Sequence, residues 1–157
     1  MSAKEHQADV IEMLANNEEM LSRLYKAYAK KFPEHKDFWA KLASEELGHA
    51  KWVRRLHSGV DQDEVYFKEG KFRKKAIQNF STYLKERLAA IRTREMSLVN
   101  ALSIALDVEN AYIESKIFKV FKADHKELKH LLKNLDKGTR DHRDRIRKLW
   151  ETKRRGS

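Results

Sequence analysis

The sequence predicts an all-α protein: a four-helix bundle of two antiparallel helix hairpins joined by a long crossover that contains an extra helix. Three observations carry this. One proline and five glycines in 157 residues leave few helix breakers, while Ala, Leu, Lys, Glu and Arg are plentiful. Apolar residues recur at three- and four-residue intervals over long windows, the spacing of one helix face. The breakers that do occur fall as tight turn, long connection, tight turn.

The first helix is predicted from about His6 to Phe32, ended by Pro33, which has no N–H to donate and disfavours helix at the residue before it. The second runs from about Glu34 to His57 and stops at Ser58-Gly59. So short a turn makes the two antiparallel neighbours. Val60 to Lys71 reads as loop, with the apolar trio Val65, Tyr66 and Phe67 expected to pack onto the bundle. An extra helix follows from about Phe72 to Arg94, with Phe72, Ala76, Phe80, Tyr83, Leu84, Arg87 and Ile91 on one side. The third bundle helix spans about Ser97 to Lys122, with no evident breaker before it. Ala123-Asp124 forms the second tight turn with Asp124 as N-cap, and the fourth helix reaches about Trp150. Residues 1–157 are read as a single domain.

Each of the four apolar stripes is interrupted by a residue that is costly to bury. Glu18 interrupts Ile11, Leu14, Leu21, Tyr25, Tyr28 and Phe32; Glu46 and His49 interrupt Trp39, Leu42, Val53 and Leu56. Glu109 interrupts Leu98, Leu102, Ala105 and Tyr112, and His142 lies between Leu128, Leu131, Leu135 and Ile146, Leu149. Buried carboxylates need a cation or a proton to compensate them. One interruption per helix therefore suggests a shared metal-binding core.

Depth along the hairpins supports this. Glu18 lies 15 residues before Pro33, with Glu46 and His49 13 and 16 after it. At about 1.5 Å per residue these levels agree within about one helical turn. Glu109 lies 15 residues before Asp124, and His142 lies 18 after it. The Glu46-x-x-His49 spacing sends a carboxylate and an imidazole from one helix face toward the same point. Hard carboxylates with two imidazoles suit iron, manganese or zinc.

Several segments resemble the rubrerythrin-like branch of the ferritin-like superfamily. They are Glu18 with Tyr25 seven residues on and then Ala29, Glu45-Glu46-Leu-Gly-His49-Ala50, and Ala101-Leu-Ser-Ile-Ala-Leu-Asp-Val-Glu109. The resemblance covers nearly the whole chain and implies a ferritin-like bundle. It also implies a non-haem di-iron site that reduces hydrogen peroxide, often in a dimer, with Tyr25 beside the ligands on the Glu18 side. The superfamily pattern takes one Glu from each of two helices and Glu-x-x-His from each of the other two. Here that gives Glu18, Glu46, His49, Glu109 and His142, but the sixth position holds Thr139. Gly138 cannot substitute, and Asp136 and Asp141 lie on other faces. Thr139 is a poor direct ligand, though it can hydrogen-bond a metal-bound water.

With no cysteine, the chain has no disulfide, thiolate zinc site, iron–sulfur cluster or rubredoxin-type iron site, so electrons must come from an external donor. No stretch approaches the ~20 apolar residues of a membrane span and no signal-peptide core is evident, so a cytoplasmic location is expected. The formal charge of +10 is spread along the chain without a basic stripe of interleaved aromatics, so no nucleic-acid partner is expected. Glu45 and the remaining histidines, His6, His35, His57, His125 and His130, are expected on outer faces or helix ends; Tyr25, Tyr28, Trp39 and Tyr112 are expected in the core. Two functions remain. One is an iron protein that reduces peroxide or oxidises ferrous iron in oxidative-stress defence or iron handling. The other is a non-catalytic ferritin-like protein with a mono-metal or metal-free site, acting through interactions.

Overall fold

A computed structural model describes residues 3–61, 65–67, 74–93, 95–114 and 121–156. The order is α1 (Ala3–Lys31), a 3-10 turn (Pro33–His35), α2 (Lys36–Asp61), β1 (Val65–Phe67), α3 (Lys74–Thr93), α4 (Leu98–Glu114), β2 (Phe121–Ala123) and α5 (Lys126–Arg155). α1 packs on α2, α4 on α5 and α3 on α1, and α2 and α5 also meet. The expected hairpin, crossover helix and second hairpin are all present.

Pro33 opens the 3-10 turn two residues after Lys31, where α1 ends, as its chemistry requires. Ser58-Gly59 does not end α2, which continues to Asp61. Gly59 is buried there. A glycine inside a helix costs roughly 1 kcal/mol, less than a well-packed apolar face returns. Val53 and Leu56, both fully buried, supply that face.

Part of the expected loop is strand. Val65–Phe67 pairs antiparallel with Phe121–Ala123, so residues 121–122 do not belong to the third bundle helix. Aromatic and β-branched residues fit a pleat. Each short segment finds its strand partner in the other, one before α3 and one after α4. The packing expected for the side chains of Val65, Tyr66 and Phe67 lies outside the described residues, as do Phe72 and Arg94.

The break between α3 and α4 is made by Ser97. Its Oγ accepts the Asn100 N–H at 3.1 Å, and its carbonyl accepts that of Ala101 at 3.1 Å. This is N-cap chemistry, which leaves the serine itself outside the helix. The cap of α5 is His125 rather than Asp124: His125 Nδ1 accepts the Glu127 N–H at 3.3 Å.

Two apolar clusters stack along the bundle. One gathers Ile11, Leu14, Val53, Leu56, Leu128 and Leu135. The other gathers Leu21, Tyr25, Tyr28, Trp39, Leu42, Leu102 and Ile146. On α1, α2 and α5 the polar interruptions fall between them. Glu18, Glu46, His49, Glu109, Thr139 and His142 are all buried.

Candidate metal centre

The same helical register that alternates the two apolar clusters brings the polar residues into one layer. Glu46, His49 and His142 each place one ligand atom within 4.8 Å of the others. His142 Nδ1 lies 2.7 Å from Glu46 Oε1 and 3.5 Å from Glu109 Oε1. His49 Nδ1 lies 3.4 Å from Glu46 Oε2. The two imidazoles are stacked, with ring centroids 4.9 Å apart. Glu18 enters from α1 and shares a hydrogen bond with Glu46. All five residues singled out from the sequence thus converge, with Glu46 at the centre.

Charge in this layer is held by protons. Burial, the Glu46 charge and then the Glu109 charge push the Glu18 carboxyl well above its usual range. Burial and the Glu46 charge raise Glu109 to about 7, against hydrogen bonds from His142 and Tyr25. Glu46 is the ionised member. Burial alone would raise it, but the close approach of Glu18, His142 and His49 outweighs this and holds it well below the usual carboxylate range. Burial also works against the His142 imidazolium, yet its bonds to Glu109 and Glu46 raise it to about 11. The cluster therefore favours a Glu46 carboxylate paired with a His142 imidazolium, beside a Glu18 carboxyl that favours its proton and a Glu109 carboxyl that titrates at about 7.

Three partners around the layer were not readable locally. Glu45, expected at the surface, is half-buried. It accepts from His142 Nε2 at 3.1 Å and from Arg145 Nη1 at 2.6 Å. With Nε2 held outward, Nδ1 is the nitrogen left facing the cluster. Burial raises the Glu45 carboxyl, but the Arg145 guanidinium more than reverses this and lowers it. Tyr25 donates from its hydroxyl to Glu109 Oε1 at 2.8 Å, across the bundle rather than to Glu18 on its own helix. Gly138 packs against His49: a β-carbon there would lie 2.6 Å from Nε2. A hint for Glu45 and Arg145 lay in their adjacency to Glu46 and their three-residue step from His142, but pairing them needed the α2–α5 crossing.

Thr139 is buried, and its hydroxyl donates to the Leu135 carbonyl at 3.0 Å. It offers no carboxylate. Asp136 bonds Arg140 and Asp141 bonds Arg145, so neither turns inward, as expected. Tyr25, Tyr28, Trp39 and Tyr112 are core residues. His125 and His130 are exposed, while His35 and His57 are half-buried.

The donor set suits a divalent ion. Glu46 Oε2 is fully buried and receives no hydrogen bond among the described residues. Such an atom costs about 1–3 kcal/mol unless something cationic meets it. Carboxylate oxygens and imidazole nitrogens converge beside it, and the Gly138 surface lets the His49 ring stay there.

The family model for rubrerythrin matches residues 9–150. The chain belongs to the rubrerythrin family. Searches of curated proteins and of solved structures found no match. Among the described residues, no helix of this rubrerythrin-family chain is long and apolar enough to cross a membrane.

Proposed function

We propose that Glu18, Glu46, His49, Glu109 and His142 hold one or two divalent metal ions, with iron the fitting choice and manganese or zinc compatible with the same donors. The reading follows the family membership, and the convergence of Glu46, His49 and His142 within 4.8 Å around an unbonded, buried Glu46 oxygen carries it. Bound iron would supply the redox chemistry to reduce peroxide or to oxidise ferrous iron.

The chain's own residues set the conditions. Glu46 bridges both imidazoles and takes the central position. Glu45 and Arg145 hold His142 Nε2, directing Nδ1 inward, as the outer partners of metal-bound histidines do. Tyr25 holds Glu109 by one oxygen. Leu21, Leu42, Leu102 and Leu135 exclude bulk water above and below. Protons on Glu18, Glu109 and His142 leave as a cation enters, so uptake is accompanied by proton release. Electrons come from an external donor, because the chain has no cysteine for a thiolate iron centre. A homodimer and a cytoplasmic location complete the proposal.

One observation favours the alternative, a non-catalytic protein with a mono-metal or metal-free site. Thr139 occupies the position of the sixth ligand and spends its hydroxyl on its own helix. Metal analysis after anaerobic loading with ferrous iron separates the readings. The proposal expects at least one iron per chain, bound tightly enough to survive desalting. Protein that emerges metal-free from iron, manganese and zinc loading alike leaves only the alternative.

A further inference from the structure

On the outer side of the layer α2 and α5 part, leaving a groove of about 490 Å³. Gly48 and Gly138 line it, one on each helix. Both sit in helix interiors, where glycine is the least favourable residue after proline. A β-carbon at Gly138 would cover the edge of His49, whereas one at Gly48 would meet nothing within 4 Å. The missing side chains therefore leave open space that ends on the imidazole of His49.

His49 is 6% exposed, and it lines this groove. Its Nε2 makes no hydrogen bond among the described residues. The ring is fixed on one face by His142 and is flanked by Trp52, a 41%-exposed residue with ring centroid 5.7 Å away, at the mouth. Glu45 and Asp141 at the rim both bond Arg145, and Lys137 supplies the remaining positive charge. The charges cancel, so the mouth pulls neither cations nor anions inward.

We propose that this groove is the port through which a small uncharged solute reaches the buried layer, with His49 Nε2 the first atom of that layer it meets. What the solute undergoes there rests on the metal-site reading; the port does not.

The test uses the full-length, metal-free chain and diethyl pyrocarbonate, an uncharged reagent small enough for the groove. Its carbonyl carbon bonds to an imidazole nitrogen, and the other half leaves with the ring proton as ethanol and carbon dioxide. Peptide mass mapping then reads each histidine separately. His49 is expected to react on the time scale of exposed His130, while His142 stays unmodified. Gly48→Leu, which has room for its side chain, is expected to slow His49 by about tenfold, or about 1.4 kcal/mol of added barrier, with His130 unchanged. Asn134→Trp, plugging the groove from α5, is expected to act the same way and guards against a folding defect in the first variant. An unreactive His49 in the unsubstituted chain overturns the proposal, as does unchanged His49 reactivity in both folded variants. Iron uptake plays no part in this readout, so failure of the port and failure of the metal site are separate results.

Discussion

In the hairpin of α1 and α2, Glu18 lies opposite Glu46 and His49, and all three side chains turn into the polar layer. In the hairpin of α4 and α5, Glu109 lies opposite His142, and the position one turn before that histidine is Thr139. The two hairpins share depth and polarity but not chemistry. Where α5 turns no carboxylate of its own into the layer, α2 supplies the acceptors instead, Glu46 to Nδ1 of His142 and Glu45 to Nε2. The difference teaches that the second half of the centre is oriented from across the bundle. Its histidine is placed by the first half, and Glu46 serves both.

The largest break in this arrangement should come from Glu46→Ala. His142 and Glu46 are each 1% exposed, and removing one partner of a buried pair costs about 3–5 kcal/mol. Urea unfolding should show that loss, and calorimetric titration should show no metal uptake. A loss under about 1 kcal/mol would mean that the two hairpins do not depend on this pair.

The proton inventory comes next. Glu109 moves from 4.5 to about 7 in the folded chain, and His142 from 6.5 to about 11. Both folded-state values are raised, so the folded chain holds more protons than the unfolded one over both intervals. Stability of the metal-free protein should therefore fall as pH rises, first from 4.5 toward 7 through Glu109, then above 6.5 through His142. Urea midpoints across that range read the slope. Bound metal replaces the protons, so a metal-loaded sample should lose the decline.

Thr139→Glu sharpens the comparison by giving α5 its own carboxylate. In the metal-free chain a further buried carboxyl should destabilise by about 1–3 kcal/mol. With ferrous iron or manganese the bound stoichiometry should rise, measured by metal analysis after desalting. Unchanged stoichiometry would show that the missing carboxylate is not what distinguishes the hairpins.

The smallest effect on stability is expected from Glu45→Gln. The Glu45–Arg145 pair is half-exposed, so unfolding free energy should stay within about 1 kcal/mol. Metal affinity should nevertheless fall about tenfold, because the outer partner that aims His142 is weakened. Equal affinity in the two proteins would assign Glu45 to the surface alone.

Much of this centre could be read from residue order. Glu18, Glu46, His49, Glu109 and His142 announce themselves because each breaks an apolar stripe, and burial makes such a break expensive. Counting residues from Pro33 and Asp124 placed them at one level because helical rise is constant. The same counting missed the ribbon of Val65–Phe67 with Phe121–Ala123, since a strand of three residues has no periodicity to detect and exists only when its partner is present. It also missed the end of α2, where packing kept Gly59 in the helix.

By itself the sequence determined the helical class, the hairpin–crossover–hairpin order and the residues that form the polar layer, because these follow from local spacing and the cost of burying charge. Tertiary structure alone decided which atoms meet. It gave His142 to Glu46 and Glu45, Tyr25 to Glu109, and the His49 edge to Gly138. Those pairings depend on how helices distant in the chain cross and rotate, and no local spacing encodes a crossing angle.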